Sequence, residues 1–307
     1  MKRRSVLLDH GIPLIGGVAI VVTNLLIYYF PRVVFFCDYP INRLMVIDFW
    51  GVLVLIAGLY DDWKGSSVLQ KFIWQSILAL GLLLSGIHFY IPAIGENWSF
   101  ILGFFWIVGL TNAFNLLDVS DGICSAVSFA VTIGVACLAF SAGVMDVFSY
   151  TLFLSASLAG FLFFNMPPAK AYLGNAGSHF LGFIFAGLTL ILINDVPKVS
   201  MGLAVVMIFW LPILETMWLI SLRLKKGINP FHKSPDHLAL KFIGHGFHAW
   251  QVMLMMTGVA ACFITAGILF YKFYTFSIFL NVIVCLWICL INFFIIRFLL
   301  IRDQAGV

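Results

Sequence analysis

The stretch Thr111-Asn-Ala-Phe-Asn-Leu-Leu-Asp-Val-Ser-Asp-Gly122 sets two amides, Asn112 and Asn115, and two carboxylates, Asp118 and Asp121, within ten positions of a very apolar chain. Side-chain amides and carboxylates offer the hard oxygens that divalent cations take, and they also hydrogen-bond hydroxyls and phosphates. On a helix, Asn115, Asp118 and Asp121 recur at three-residue intervals and share one face. The pattern suits a cation or a polyhydroxylated, phosphorylated ligand. A polar loop that merely ends a membrane span is the competing reading, and this stretch alone leaves both open.

Four more segments carry chemistry. In Gly58-Leu-Tyr-Asp-Asp-Trp-Lys64 the adjacent acids Asp61 and Asp62 close an apolar run. Two carboxylates at a helix C-terminus oppose each other and the helix dipole, a cost tolerated where a cation or a proton-transfer role offsets it. In Asn165-Met-Pro-Pro-Ala-Lys-Ala-Tyr-Leu-Gly-Asn-Ala-Gly-Ser178 two prolines stop one helix, and Gly174-Asn175-Ala-Gly-Ser178 opens the next. A glycine-rich turn feeding a helix N-terminus presents free N–H groups to phosphate, although Ser178 also fits an ordinary N-cap. The longest polar loop contains Arg223, Lys225, Lys226, His232, Asp236, His237 and Lys241. If 236–249 is helical, His237, Lys241 and His245 or His248 share a face for diphosphate or for anionic lipid headgroups. Gly11-Ile-Pro-Leu-Ile-Gly-Gly17 permits close backbone approach, to a ligand or to another helix. Glu215, inside an apolar run, receives no role.

The elements that must hold these groups are membrane helices. Of 307 residues 63% are hydrophobic and 10% charged, and mean hydropathy is +1.08. That balance excludes an ordinary soluble domain. A crossing needs about 20 apolar residues. Ten candidate spans follow: 12–30, 44–60, 68–87, 98–115, 123–144, 148–166, 178–194, 199–221, 251–271 and 275–298. They predict an all-α, polytopic membrane bundle that forms one domain over 1–307. Alternating the connections puts 13 Lys and Arg on the side of the N-terminus and 4 on the other, so the first side is cytoplasmic. Every polar-rich loop falls on that side: 61–67, 112–122, 167–177 and 222–250. The six cysteines lack metal-ligand spacing, and Cys285 and Cys289 read as helix packing. Lys2-Arg3-Arg4 precedes an uncleaved first span. Polar groups gathered on one face, rather than at mid-membrane, argue against a transporter.

In this order and on this side, the five segments resemble the polyprenyl-phosphate N-acetylhexosamine-1-phosphate transferase family from about residue 11 to 250. Its patterns are P-x-x-G-G, an Asp-Asp pair after a span, N-A-x-N-x-x-D-G-x-D-G, G-D-x-G-S and a His-rich basic loop. The resemblance implies transfer of an N-acetylated hexosamine-1-phosphate from a UDP-sugar to undecaprenyl phosphate, as the first step of a cell-envelope glycan. The products are a polyprenyl diphosphate sugar and UMP. It implies Mg2+, with Mn2+ as a substitute, a bacterial inner-membrane location, membrane lipids around the chain, both termini and the site cytoplasmic, and no nucleic-acid partner. A homodimer is compatible with it. By carry-over Asp61, Asp62 and Asp118 are catalytic, one of the Asp-Asp pair acting as base toward the lipid phosphate. Asn112, Asn115, Asp121, Gly174, Ser178, His232, Asp236, His237 and Lys241 bind substrate, and Asn115, Asp118 and Asn175 hold the metal. Three departures stand out. Asn175 replaces the Asp of G-D-x-G-S, Val119 replaces a Gly, and His237-Leu-Ala-Leu-Lys241 replaces a cluster of histidines. They motivate a second expectation, a non-catalytic homologue that binds nucleotide sugar or lipid carrier.

Overall fold

Backbone polar groups have no water to bond in hydrocarbon, so apolar runs of spanning length close their hydrogen bonds as helix. The computed structural model, which describes residues 8–9, 12–34, 43–229 and 235–274, is helical accordingly. A short antiparallel pair, β1 (Leu8–Asp9) with β2 (Ile12–Pro13), precedes α1 (Gly16–Val34), α2 (Arg43–Lys64), α3 (Val68–Leu84) and α4 (Gly95–Leu117). Then come α5 (Ile123–Ala142), α6 (Met145–Asn165), α7 (Gly174–Asp195), α8 (Val199–Ile208), α9 (Trp210–Lys225), α10 (Leu238–Gly244) and α11 (Ala249–Phe273).

Six of these, α2, α4, α5, α6, α7 and α11, are long and apolar enough to cross a membrane. The expected span 199–221 is instead two helices, α8 and α9, meeting at 66°. Pro212 explains the break, because it has no N–H for the carbonyl of residue 208 and its ring crowds the preceding turn. Counting that pair as one span gives seven, and α3 and Gly16–Phe30 of α1 are shorter apolar helices. Ten spans are therefore not established among the described residues; the tenth expected span, 275–298, and the Cys285–Cys289 pair lie outside them.

The core sits on α7. Of its most apolar window 94% is buried, against 44% for α2, α4, α6 and α11, so α7 is shielded from lipid while those four face it. Glycines let the neighbours close on it: a Cβ on Gly17 of α1 would lie 2.4 Å from Gly177 N, one on Gly58 of α2 2.5 Å from Ala176 Cα, and one on Gly182 2.5 Å from Leu110 O of α4. Gly16 and Gly17 also donate to Tyr172 O and Leu173 O at 3.0 and 3.2 Å, fastening the start of α1 beside the start of α7. Gly16 and Gly17 thus serve close helix packing, while Gly11 lies outside the described residues. At the far end of α7, Arg43 of α2 reaches Asp146 of α6 at 2.9 Å and Asp195 of α7 at 2.6 Å. That clamp joins three helices on the rim opposite the acidic loops.

Candidate active site

The acids of 118–121 do not ride on a helix. α4 stops at Leu117, and Asp118 adopts φ −85°, ψ 59° with its N–H on Asn115 O at 3.3 Å. Gly122 follows at φ +74°, a left-handed position that turns the chain into α5. The expected shared face is thus replaced by a tight loop, and that loop points Asp118 and Asp121 at one cavity of about 280 Å3. Asp62, Asn165, Tyr172 and Asn175 line the same cavity.

Asp62 is held by the start of α7. Its Oδ1 accepts from Asn175 N at 3.0 Å and Asn175 Nδ2 at 2.8 Å, and its Oδ2 from Ala176 N at 3.1 Å. A carboxylate at a helix N-terminus satisfies donors that have no intrahelical partner and meets the positive end of the dipole. Gly58, one turn before Asp62, leaves room for this contact, and a Cβ on Gly174 (φ +73°) would stand 2.7 Å from Asp62 Oδ2. The N–H groups of the glycine-rich turn, expected to face phosphate, are occupied here by Asp62. Asn175 is committed as well, since its Oδ1 accepts from Asn115 Nδ2 at 2.7 Å. Ser178 is fully buried. It accepts from Asn115 Nδ2 at 3.1 Å and donates to Gly174 O at 3.0 Å. Ser178 therefore braces the site from behind, and Asn115 is left with its own amide oxygen to offer.

Two expected residues, Asp61 and Asn112, point elsewhere, and a third is partly engaged. Asp61 turns to the α2–α3 connection, where Oδ1 accepts from Ser66 N at 2.7 Å and Oδ2 pairs with Lys71 Nζ at 2.5 Å. Asn112 donates to Gln75 Oε1 at 2.7 Å and Val108 O at 2.8 Å, toward α3. Asp121 lines the cavity but spends Oδ2 on Ala169 N at 2.9 Å, tying the 118–122 loop to the 166–173 loop. Asn165 ties the same loop from the other side, accepting from Ser125 Oγ at 2.5 Å and donating to Ala171 O at 2.8 Å.

Asp118 differs from all of these. Its carboxylate has no hydrogen bond or ion pair among the described residues. Burial, with the charges of Asp62 and Asp121 nearby, pushes its carboxyl up to about 7. Crowded acids without a cation are what a divalent ion would relieve. Among the described residues no three His, Cys, Asp or Glu form a closed metal cage. The donor set instead suits an ion held by one or two carboxylates plus substrate phosphates, the habit of Mg2+. Asp118, Asp62 and the free amide oxygen of Asn115 fit that ion; Asn175, with both amide groups engaged, fits it less well.

The basic loop gathers around α9. His232 lies outside the described residues. Asp236 pairs with Lys226 at 2.5 Å, and its carbonyl accepts from Trp218 Nε1 at 3.2 Å. Lys241 lies 5.5 Å over the Trp218 ring. His237 caps α10 and faces Glu215 Oε1 through Nδ1 at 3.0 Å. The helix expected over 236–249 breaks at His245 and at Gly246 (φ +92°), so His245 and His248 do not continue the face of His237 and Lys241. His248 opens α11 instead, its N–H on Gln251 Oε1 at 2.9 Å.

The profile of glycosyl transferase family 4 matches residues 44–193, the segment that supplies Asp61, Asp62, the 112–122 loop and the start of α7. Over that segment the chain is similar to glycosyl transferase family 4. It is 30% identical over 231 residues to a probable undecaprenyl-phosphate N-acetylglucosaminyl 1-phosphate transferase of Bacillus subtilis (strain 168), covering 72% of this chain and 64% of that protein's length. It is 27% identical over 275 residues to a phospho-N-acetylmuramoyl-pentapeptide-transferase of Staphylococcus aureus (strain MSSA476), covering 81% of this chain and 82% of the relative. A protein of the same name from Streptococcus pneumoniae serotype 2 (strain D39 / NCTC 7466) is 28% identical over 290 residues, covering 85% of each.

The structure brings Asp62, Asn115, Asp118, Asp121, Gly174 and Asn175 together. It turns Asp61 and Asn112 away and buries Ser178. Sequence reasoning passed over two residues. Asn165 carried no signal beyond a polar residue before prolines. Glu215 did carry one, a lone acid within an apolar run, which is costly unless something answers it.

Proposed function

We propose that this membrane protein transfers an N-acetylated hexosamine-1-phosphate, or a derived sugar phosphate, from a UDP-sugar to undecaprenyl phosphate. The products are a polyprenyl diphosphate sugar and UMP, and the step begins a cell-envelope glycan. One observation carries the reading: Asp62 and Asp118 meet in a cavity at the start of the most buried helix of a bundle whose helices are long and apolar enough to cross a membrane. A lipid nucleophile needs a site at a membrane surface, and phosphoryl transfer needs positioning and charge neutralisation more than covalent chemistry. The relatives named above are sugar-1-phosphate transferases by name, which supports the same reaction class here.

In this reading an oxygen of the lipid phosphate attacks the β-phosphorus of the UDP-sugar. The bond from that phosphorus to the bridging oxygen breaks, and UMP leaves with the electron pair. Asp62, oriented by three N–H donors, faces the cavity and takes the proton of a singly protonated lipid phosphate; Asp61, engaged with Lys71, does not reach it. Asp118 and Asp62, with the amide oxygen of Asn115, would hold Mg2+ or Mn2+, which when bound neutralises the diphosphate. Asp121 and Asn165 keep the two loops that wall the cavity in place. We place this face in the cytoplasm, with both termini, and count ten spans in a single bundle by adding α1, α3 and 275–298. The test is UMP release from a panel of UDP-N-acetylhexosamines by purified protein with undecaprenyl phosphate and Mg2+. Absence of UMP with every sugar overturns the reading.

A second reading, binding of nucleotide sugar or lipid carrier without turnover, is favoured by Asn175, whose amide stands where the family pattern has a carboxylate. An inactive wild type that gains turnover as Asn175→Asp supports it, and an active wild type excludes it.

A further inference from the structure

Glu215 is more deeply buried than any other acid among the described residues, at 1% exposure. Its Oε1 sits 3.0 Å from His237 Nδ1, and Leu238 N donates to Oε1 at 3.2 Å and to Oε2 at 3.3 Å. It stands on α9, two turns before the buried Arg223, which lies close enough to feel the charges of both Glu215 and Asp236. His237 is itself buried, and with Nδ1 engaged its remaining ring nitrogen, Nε2, has no partner among the described residues. Lys226 and Lys241 flank the same turn, and Lys226 neutralises the one nearby competing acid, Asp236.

We infer that Glu215 is a positioning residue for His237. It fixes the ring and keeps a proton on Nδ1, so that Nε2 is presented among cations to a phosphate oxygen of the substrate. This rests on the transfer reading above. A carboxylate inside an apolar helix is a costly way to fasten a loop. Trp218 already anchors Asp236 O, and a neutral amide would serve the Leu238 N–H equally well. What a carboxylate adds is charge against an imidazole, the arrangement that sets tautomer and orientation where a histidine has work at its other nitrogen.

The experiment is a double-mutant cycle on UMP release. Glu215→Gln keeps an acceptor for Leu238 N and removes the charge. His237→Asn keeps a donor near Nδ1 and removes Nε2. Each substitution is expected to lower kcat about tenfold to a hundredfold, with a smaller change in KM for the UDP-sugar. The double variant is expected to be no slower than His237→Asn alone, because Glu215 acts through that ring. Multiplying losses, or a fully active Glu215→Gln, overturn the inference. Detergent gel filtration reports folding, and Glu215→Asp, which keeps charge but shortens reach, replaces Glu215→Gln if the latter does not fold. If wild type releases no UMP, the transfer reading fails. The positioning claim is then read from UDP affinity, where the same non-additivity supports it and unchanged affinity in both single variants overturns it.

Discussion

At the scale of single residues, Asp118 decides how this site responds to pH. Its carboxyl titrates near 7 in the fold rather than near the 3.8 of a free side chain. The folded protein therefore holds more protons than the unfolded chain between those values, and stability falls as pH rises from about 4 to about 7. Thermal unfolding of metal-free protein in detergent is expected to show that slope, worth up to a few kcal/mol, and Asp118→Asn to flatten it. Binding of a divalent ion is expected to release a proton below pH 7, measurable as a buffer-dependent heat. Asn175 gives a second prediction. An Asp at 175 would set a carboxylate against Asp62, where Asn175 Nδ2 now donates at 2.8 Å. Asn175→Asp is expected to lower the metal-free melting temperature, by the loss of a charge-assisted bond of about 1.5–3 kcal/mol, and to reduce the Mg2+ concentration needed for half-maximal rate. A melting temperature unchanged without metal would contradict this.

At the scale of elements, the site depends on how closely α2 approaches α7. A methyl group on Gly58 would overlap Ala176 at 2.5 Å, backbone that cannot rotate away. Gly58→Ala is expected to cost about 1–3 kcal/mol and to cut turnover at least tenfold by shifting Asp62 off the start of α7, with little change in helix content by circular dichroism. The sequence showed which apolar runs become helices, because hydrophobic length is a local property. It showed the acid and amide clusters, because polar residues in such a chain are few. It did not show that α4 ends at Leu117, that Asp62 rather than a ligand occupies the α7 N-terminus, or that Pro212 divides a span at Phe209. Those outcomes turn on contacts between segments far apart in the chain, such as Asp62 with Ala176 and Glu215 with His237. Adjacent Asp61 and Asp62 look equivalent as letters, yet Lys71 takes one and the α7 backbone the other.

At the scale of the whole molecule, the acidic cavity and the basic turn gather at one end of the bundle, and an arginine clamp closes the other. A single cysteine at Ser66 is expected to react with an impermeant maleimide only after the membrane is breached, and one at Ala93 in intact cells; the reverse pattern would invert the orientation. Arg43 has its own consequence. Its guanidinium bonds Asp146 and Asp195 together, so α2, α6 and α7 share one fixed point at the rim farthest from Asp62. Helices pinned at one end pivot rather than slide, and the displacement open to them grows with distance from the pin. Adjustment during a catalytic cycle therefore concentrates where the 118–122 and 166–173 loops meet. Hydrogen exchange is expected to be slowest in the turns beside Arg43 and to quicken toward the cavity, and Arg43→Gln is expected to erase that gradient along α2 and α7.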